Sequence, residues 1–344
     1  MKVDIKGNTS EFADDISVGE ILCKLEYDNS VIGALVDGEL RDITYQPHSN
    51  VRLEPVRENS KEGLDLIRHT AAHVLAEAVQ SVYPGTKVTI GPVIENGFYY
   101  DFSSERSFTE EDLELFEKKM QEIINEKKPM LKKLVSRQDA IATFKNMEET
   151  FKEEIIRDLD GDEEISLYYQ GDWFDLCRGP HAPNTSYVKA FKLLSVAGSY
   201  WRGDEERESL QRIYGTAFFN KKDLKKYLLM LEEAKKRDHR KLGKELDLFS
   251  ITDDIGPGLV LWHPNGAIVR SIIENYWRDK HIEADYKIVY TPHVAKSTIW
   301  ETSGHSEFYK ENMFSEMEID KNRYQTKPMN CPFHIMIYKS ELRS

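Results

Sequence analysis

The sequence has little cysteine. Cys23, Cys177 and Cys331 are the only three in 344 residues, and an odd, widely spaced set argues against a disulfide framework and for a reducing compartment. No apolar run approaches the roughly 18 residues of a membrane span. The N-terminus, Met1-Lys2-Val3-Asp4-Ile5, has no signal-like apolar core. A cytoplasmic chain with no membrane attachment is expected. There is no internal repeat and no low-complexity tract. Positive charge is also in deficit: 47 Lys and Arg stand against 60 Asp and Glu, for a net charge of −13, which on its face disfavours a nucleic-acid partner. What remains is ordinary globular composition, 31% charged and 40% hydrophobic, on a length that predicts two or three domains.

The net charge hides local asymmetry. Residues 148–164 hold nine acids, among them Glu148, Glu149, Asp162 and Glu163. Residues 221–244 hold ten Lys or Arg against Asp223, Glu232, Glu233 and Asp238, a local excess of six positive charges. A basic stripe on an acidic protein suits phosphate contact. A solvated helix face laced by i,i+4 pairs accounts for it equally well.

Histidine and cysteine are scarce, yet four of them fall in two tight pairs: His69 with His73, and Cys177 with His181. The first pair lies in a helical pattern over 64–82 that ends at Tyr83-Pro84-Gly85. Its apolar stripe runs through Leu64, Ile67, Ala71, Val74, Leu75, Ala78 and Val82. The two histidines fall nearly opposite that stripe, which argues against core histidines. Asp175 precedes Cys177 by two, so both face one side of a strand. If the pairs converge, they can position water or bind a metal.

Residues 1–60 read as a small β-rich module. Ser17-Val18-Gly19-Glu20 is a capping-box pattern opening a short helix, and Asp37-Gly38 is a hairpin turn after a strand at 31–36. Strands are expected at 88–94, 97–102, 165–169, 173–176, 192–196 and 210–218. Helices are expected at 109–127 and 138–146, with one long basic helix over 223–244. A third domain from about Leu246 starts with the turn Gly256-Pro257-Gly258 and a strand at 260–262. A helix at 265–280 and a strand at 286–290 follow. Lys327-Pro328-Met329-Asn330-Cys331-Pro332 reads as a turn-rich loop with a buried cysteine.

These residues together resemble the bacterial-type threonyl-tRNA synthetase family, over the whole chain. H-x-x-x-H with C-x-x-x-H is similar to that family's editing site. Lys235-Lys236-Arg237-Asp238-His239-Arg240-Lys241-Leu242-Gly243 is similar to its linker. Trp300-Glu301-Thr302-Ser303-Gly304-His305 and the loop around Met329 and Cys331 are similar to its synthetic core. The resemblance implies an α+β multidomain fold: a ubiquitin-like β-grasp (TGS) module at 1–60, an α+β editing (SAD-like) domain at 61–225 and a basic helical linker at 226–245. The start of a class II antiparallel-sheet domain, at 246–344, would complete it. Pro292 falls where that class places the proline of its dimer-forming first motif. Phe333 departs from the glycine usual after Cys-Pro. The resemblance also implies that the chain stops before the second and third class II motifs, which carry ATP-binding arginines and two zinc-binding histidines. Met329 would contact substrate, and Cys331 would be the one zinc ligand present. Three protein ligands are the usual catalytic set, so complete aminoacylation is not expected of this chain.

By the same resemblance, the partners are tRNA(Thr), with threonine, ATP and Mg for a complete, homodimeric enzyme. Zinc bound to the substrate amine and hydroxyl would reject valine but not serine. The missing methyl is worth roughly 1–3 kcal/mol, so a second, hydrolytic site is expected. His73 would activate water or meet the ribose, His69 would orient it, and Cys177 and His181 would form the opposite wall. Asp175 would engage the seryl amine and Lys152 would position substrate or tRNA. Three readings of the four residues stay open at this point: a hydrolytic editing site, a metal site without the H-E-x-x-H glutamate (position 70 is Thr), and a purely structural role; for the chain as a whole, a zinc-dependent hydrolase and a non-catalytic tRNA-binding protein are the alternatives.

Overall fold

The computed structural model describes residues 1–161 and 164–342. Asp162 and Glu163 of the acidic segment lie outside the described residues, as do Arg343 and Ser344. The chain divides into two compact units, Met1–Lys235 and Lys236–Ser344, of mixed α/β structure. No described helix is long and apolar enough to cross a membrane.

The first unit opens with strands β1 (Lys2–Ile5) and β2 (Asn8–Glu11), helix α1 (Val18–Lys24), and strands β3 (Val31–Val36), β4 (Glu39–Asp42) and β5 (Val51–Arg57). Alternation puts Val3, Ile5, Ala34 and Leu53 on one face, where they pack on Val18, Ile21 and Leu22 of α1. The strand order is β2-β1-β5-β3-β4, with β1 and β5 parallel. Asp37 and Gly38 both have positive φ, 51° and 89°, as a two-residue hairpin turn of this type requires. The capping box at α1 is complete: the Glu20 amide donates to Ser17 Oγ at 3.3 Å and the Ser17 amide donates to Glu20 Oε2 at 2.9 Å. Ser17→Ala is expected to cost about 1 kcal/mol, measurable as a lower urea midpoint.

Helix α2 (Lys61–Val82) follows, capped by Ser60. Then come β6 (Lys87–Val88), β7 (Val93–Ile94), β8 (Gly97–Ser103), α3 (Glu110–Asn125), β9 (Met130–Val135), α4 (Arg137–Asn146) and α5 (Thr150–Asp158). Strands β10 (Ile165–Gln170), β11 (Trp173–Leu176), β12 (Ala190–Tyr200) and β13 (Ser209–Phe218), then helix α6 (Lys221–Lys236), complete the unit. One sheet runs β12-β13-β8-β6, with β7 on β8, and a second runs β11-β10-β9. Phe98, Tyr100 and Phe102 alternate inward from β8 to pack with the buried face of α2 and with Phe116 and Met120 of α3.

Helix α2 departs from the sequence expectation. It is buried nearly all round, with His73 only 2% exposed. The face opposite the apolar stripe is largely shielded from solvent, with His69 and Gln80 half-buried, because it is covered by β11 and the loop that follows: Trp173 Nε1 donates to Gln80, and His69 lies against Pro180. Two other departures have simple causes. Residues 89–92 break the strand expected at 88–94, where Ile90, Gly91 and Pro92 bend around Tyr100. The expected basic helix stops at Lys236, because Asp238 caps a new helix, its side chain accepting from the Arg240 amide at 2.8 Å.

The second unit holds α7 (His239–Glu245), β14 (Phe249–Ile251), β15 (Val260–Trp262), α8 (Pro264–Glu283) and β16 (Val294–Lys296). It continues with α9 (Thr298–Thr302), α10 (His305–Phe308), β17 (Met317–Ile319), β18 (Asn322–Thr326) and α11 (Cys331–Lys339). Its two sheets, β14-β15 and β16-β18-β17, are antiparallel. Residues 286–290 are not a strand as expected. A strand needs a hydrogen-bonded neighbour, and no described segment supplies one.

Candidate active site

The two pairs meet. His69 and His73, one turn apart on α2, face the loop after β11 that carries Cys177 and His181. One ligating atom from each of the four side chains lies within 4.8 Å of all the others. The rings of His69 and His181 stack with centroids 4.1 Å apart, and His73 meets His181 at 4.2 Å. His69 and His73 line one wall of a cavity of about 410 Å³; Cys177, Asp175, Lys152 and Tyr100 are among the residues that line the rest.

The hydrogen bonds fix the tautomers. Nδ1 of His69 lies 3.0 Å from the Pro180 carbonyl oxygen, which can only accept, so that nitrogen carries the proton. The hydroxyl of Thr70 donates to the Leu66 carbonyl at 2.9 Å and must therefore accept from Nδ1 of His181, 3.4 Å away. Both rings then turn an unprotonated Nε2 toward Cys177 Sγ, at 3.3 and 3.4 Å. Burial drives the pKa of all three imidazoles down, His73 and His181 well below their usual value. Burial also pushes the Cys177 thiol up to about 12, so the sulfur is a neutral thiol and a poor nucleophile.

Asp175 organises the other wall. Its Oδ1 pairs with Lys152 Nζ at 2.5 Å and accepts from the Leu176 amide at 2.7 Å. Its Oδ2 accepts a short hydrogen bond from the Tyr100 hydroxyl and lies 3.9 Å from His73 Nε2. Lys152 Nζ also donates to the Tyr100 hydroxyl at 3.2 Å. Lys152 sits on α5 within the most acidic stretch of the chain, yet it is 1% exposed. His73 Nδ1 has no hydrogen-bond partner among the described residues.

A sequence family described as "Threonyl and Alanyl tRNA synthetase second additional domain" matches residues 165–214, from β10 into β13. The chain is 52% identical over 315 residues to the threonine–tRNA ligase of Nitrosococcus oceani, covering 92% of this chain and 49% of that protein. It is 50% identical over 348 residues to the threonine–tRNA ligase of Nitratidesulfovibrio vulgaris, covering 100% of this chain and 54% of that one. The chain belongs to the bacterial-type threonyl-tRNA synthetase family. It spans about half the length of the curated relatives it matches. Among solved structures, the RNA binding domain of threonyl-tRNA synthetase from Cryptosporidium parvum Iowa II is 37% identical. That match covers 30% of this chain and 26% of the other, with a TM-score of 0.29.

The remaining family-implied positions lie in the second unit. Cys331 is exposed, not buried as its loop suggested, because the inward positions at the start of α11 go to Pro332 and Phe333, the latter edge-on to Trp300 at 5.6 Å. Cys331 belongs to no group of three or more metal-binding side chains among the described residues, so these residues do not fit a zinc site around it. Met329 is 36% exposed.

Sequence reasoning missed Tyr100, Glu149 and the Ile90–Pro92 loop. Tyr100 was legible only as a core aromatic; the signal was its hydroxyl, which a buried tyrosine must satisfy. Gly91 is required there, since a Cβ would stand 2.2 Å from the Tyr100 ring. Glu149 sits behind the site. Its carboxylate accepts from Gln80 at 2.7 Å and from the Val88 amide at 3.1 Å, and burial raises it to about 7.

The buried groups give a pH dependence. Unfolded imidazoles take up protons near 6.5, whereas the folded ones resist. The unfolded state then binds more protons, and stability is lost as pH falls below about 6.5. Glu149 acts in the opposite sense between its ordinary 4.5 and about 7, losing stability as pH rises. Three imidazoles outweigh one carboxyl, so the urea midpoint should be higher at pH 7 than at pH 5.5. Equal midpoints would contradict this balance.

Proposed function

We propose that this chain hydrolyses the ester of seryl-tRNA(Thr), as the editing part of a threonine–tRNA ligase. The observation that carries the reading is a neutral, buried His73 on the wall of a cavity whose facing wall is the Lys152–Asp175–Tyr100 cluster. Water would attack the seryl carbonyl carbon while His73 accepts its proton. The ester C–O bond then breaks, the ribose oxygen takes the proton back from His73 and leaves as a hydroxyl, and serine is released as a carboxylate after its acid proton passes to solvent. Asp175, 3.9 Å from His73 Nε2, would stabilise the imidazolium and engage the seryl amine. Lys152 would hold Asp175 and face the substrate. His69, Cys177 and His181 pack into one wall of the pocket, the single thiol proton serving one Nε2 at a time.

Other readings follow from family membership. The order β2-β1-β5-β3-β4 with α1 packed on one face supports a β-grasp module at 1–60. An editing domain at 61–225, a linker at 226–245 and the start of a class II domain at 246–344 are the matching assignments. The basic residues of α6 and α7 suit the tRNA(Thr) backbone. ATP with Mg, threonine, zinc and a homodimer belong to aminoacylation by the complete enzyme.

A zinc-dependent hydrolase is the second reading, and one observation favours it: the tautomers of His69 and His181 aim two lone pairs at the thiol, the arrangement a metal would use. Incubating the purified chain with seryl-tRNA(Thr) tests the proposal. Hydrolysis above buffer at less than stoichiometric zinc supports it. Stoichiometric zinc that disappears in His69→Ala would favour the metal reading, and binding without hydrolysis a tRNA-binding role.

A further inference from the structure

The N-terminal module reaches into the site. Asp42, the last residue of β4, is 4% exposed although it is an acid at a strand end. Its Oδ1 is held by Thr44, which donates from its amide at 3.0 Å and its hydroxyl at 2.6 Å. Its Oδ2 is turned across to the neighbouring fold. There it accepts from the Tyr168 hydroxyl at 2.6 Å and lies 3.4 Å from the His181 amide nitrogen, which donates to it. Both contacts are buried, where a hydrogen bond to a charged acceptor is strong and a missing partner is costly.

Tyr168 passes the contact on. Its ring packs on the His181 imidazole, centroids 4.6 Å apart. Its hydroxyl occupies the space that a Cβ on Gly179 would take, 2.0 Å from that position. Gly179 has φ of +77° and donates its amide to Cys177 Sγ at 3.2 Å. One carboxylate of the module therefore fixes both ends of the Cys177–His181 loop: His181 directly, and Cys177 through Tyr168 and Gly179.

We propose that Asp42 and Tyr168 form a positioning pair through which the N-terminal module sets the geometry of the Cys177–His181 loop, so that the site is complete only with the module docked. This rests on the hydrolytic reading for its activity arm and on geometry alone for its second arm. In the full chain, Asp42→Ala and Tyr168→Phe should each lower kcat for seryl-tRNA(Thr) hydrolysis about tenfold, the effect of one lost buried hydrogen bond, with KM within twofold of wild type. The double variant should be no slower than the slower single one, because both remove the same contact.

The second arm needs no activity. Iodoacetamide labelling of Cys177, followed on its own peptide by mass spectrometry, should be at least threefold faster in Asp42→Ala than in wild type, with exposed Cys23 unchanged as internal control. Unchanged Cys177 labelling overturns the proposal, whether or not the wild type hydrolyses the ester. So do additive losses in the double variant. A wild type without hydrolysis, but with faster Cys177 labelling in Asp42→Ala, defeats the editing reading and leaves the positioning pair standing.

Discussion

Replacing His73 with alanine is expected to slow single-turnover hydrolysis of seryl-tRNA(Thr) by roughly 10²- to 10⁴-fold, the usual contribution of a positioned proton acceptor. The size follows from what the other three residues of the cluster are already doing. Nδ1 of His69 is committed to the Pro180 carbonyl, and Nε2 of both His69 and His181 faces Cys177. Nδ1 of His73 has no hydrogen-bond partner among the described residues, an arrangement that recurs at catalytic groups. Its depressed pKa, caused first by burial, keeps the ring neutral and able to accept at pH 7. The loss should fall on kcat and leave KM near wild type, because water activation contributes to the transition state and little to binding. A rise in KM with kcat preserved would instead make His73 a ribose contact.

The second large effect is on stability. Lys152 and Asp175 form a buried ion pair whose side chains are 2% and 3% exposed. Removing one partner leaves an uncompensated charge, so Lys152→Ala or Asp175→Ala should each cost about 3–5 kcal/mol. Lys152→Met combined with Asp175→Leu should cost less than either alanine variant alone, since no charge is then stranded. Urea denaturation of the three variants decides this. A double variant at the sum of the two single losses would show that the pair is not coupled. Activity should be lost in all three, because the pair also forms the wall facing His73.

Much of this site could be read before any coordinates. The two pairs, Asp175 two residues before Cys177, and Lys152 all converge on one cavity or its edge. What the sequence could not show was depth. Helical phase placed His69 and His73 away from the core stripe, and in a surface helix that face is wet. Here it is roofed by β11 and the Cys177–His181 loop, elements about a hundred residues away in the chain, and local periodicity carries no information about such packing. The same holds for β9, whose Met130–Val135 reads as a charged connector and becomes a strand only by pairing with β10. Tyr100 and Asp42 were invisible for a related reason: each acts through one hydrogen bond across a long sequence separation. Short-range signals fared better. The Ser17 capping box and the Asp37-Gly38 turn are set by neighbours along the chain, and both formed as expected.

On the proposed reading, the His73 cavity hydrolyses a mischarged aminoacyl ester without a metal. Single-turnover hydrolysis of seryl-tRNA(Thr) and threonyl-tRNA(Thr) by the purified chain, with and without a chelator, tests it most directly. Seryl ester cleavage is expected well above buffer, with slower threonyl cleavage, dependence on His73, and no change on chelation. Seryl-tRNA(Thr) as stable with the protein as in buffer, or activity abolished by the chelator and restored by zinc, would contradict it.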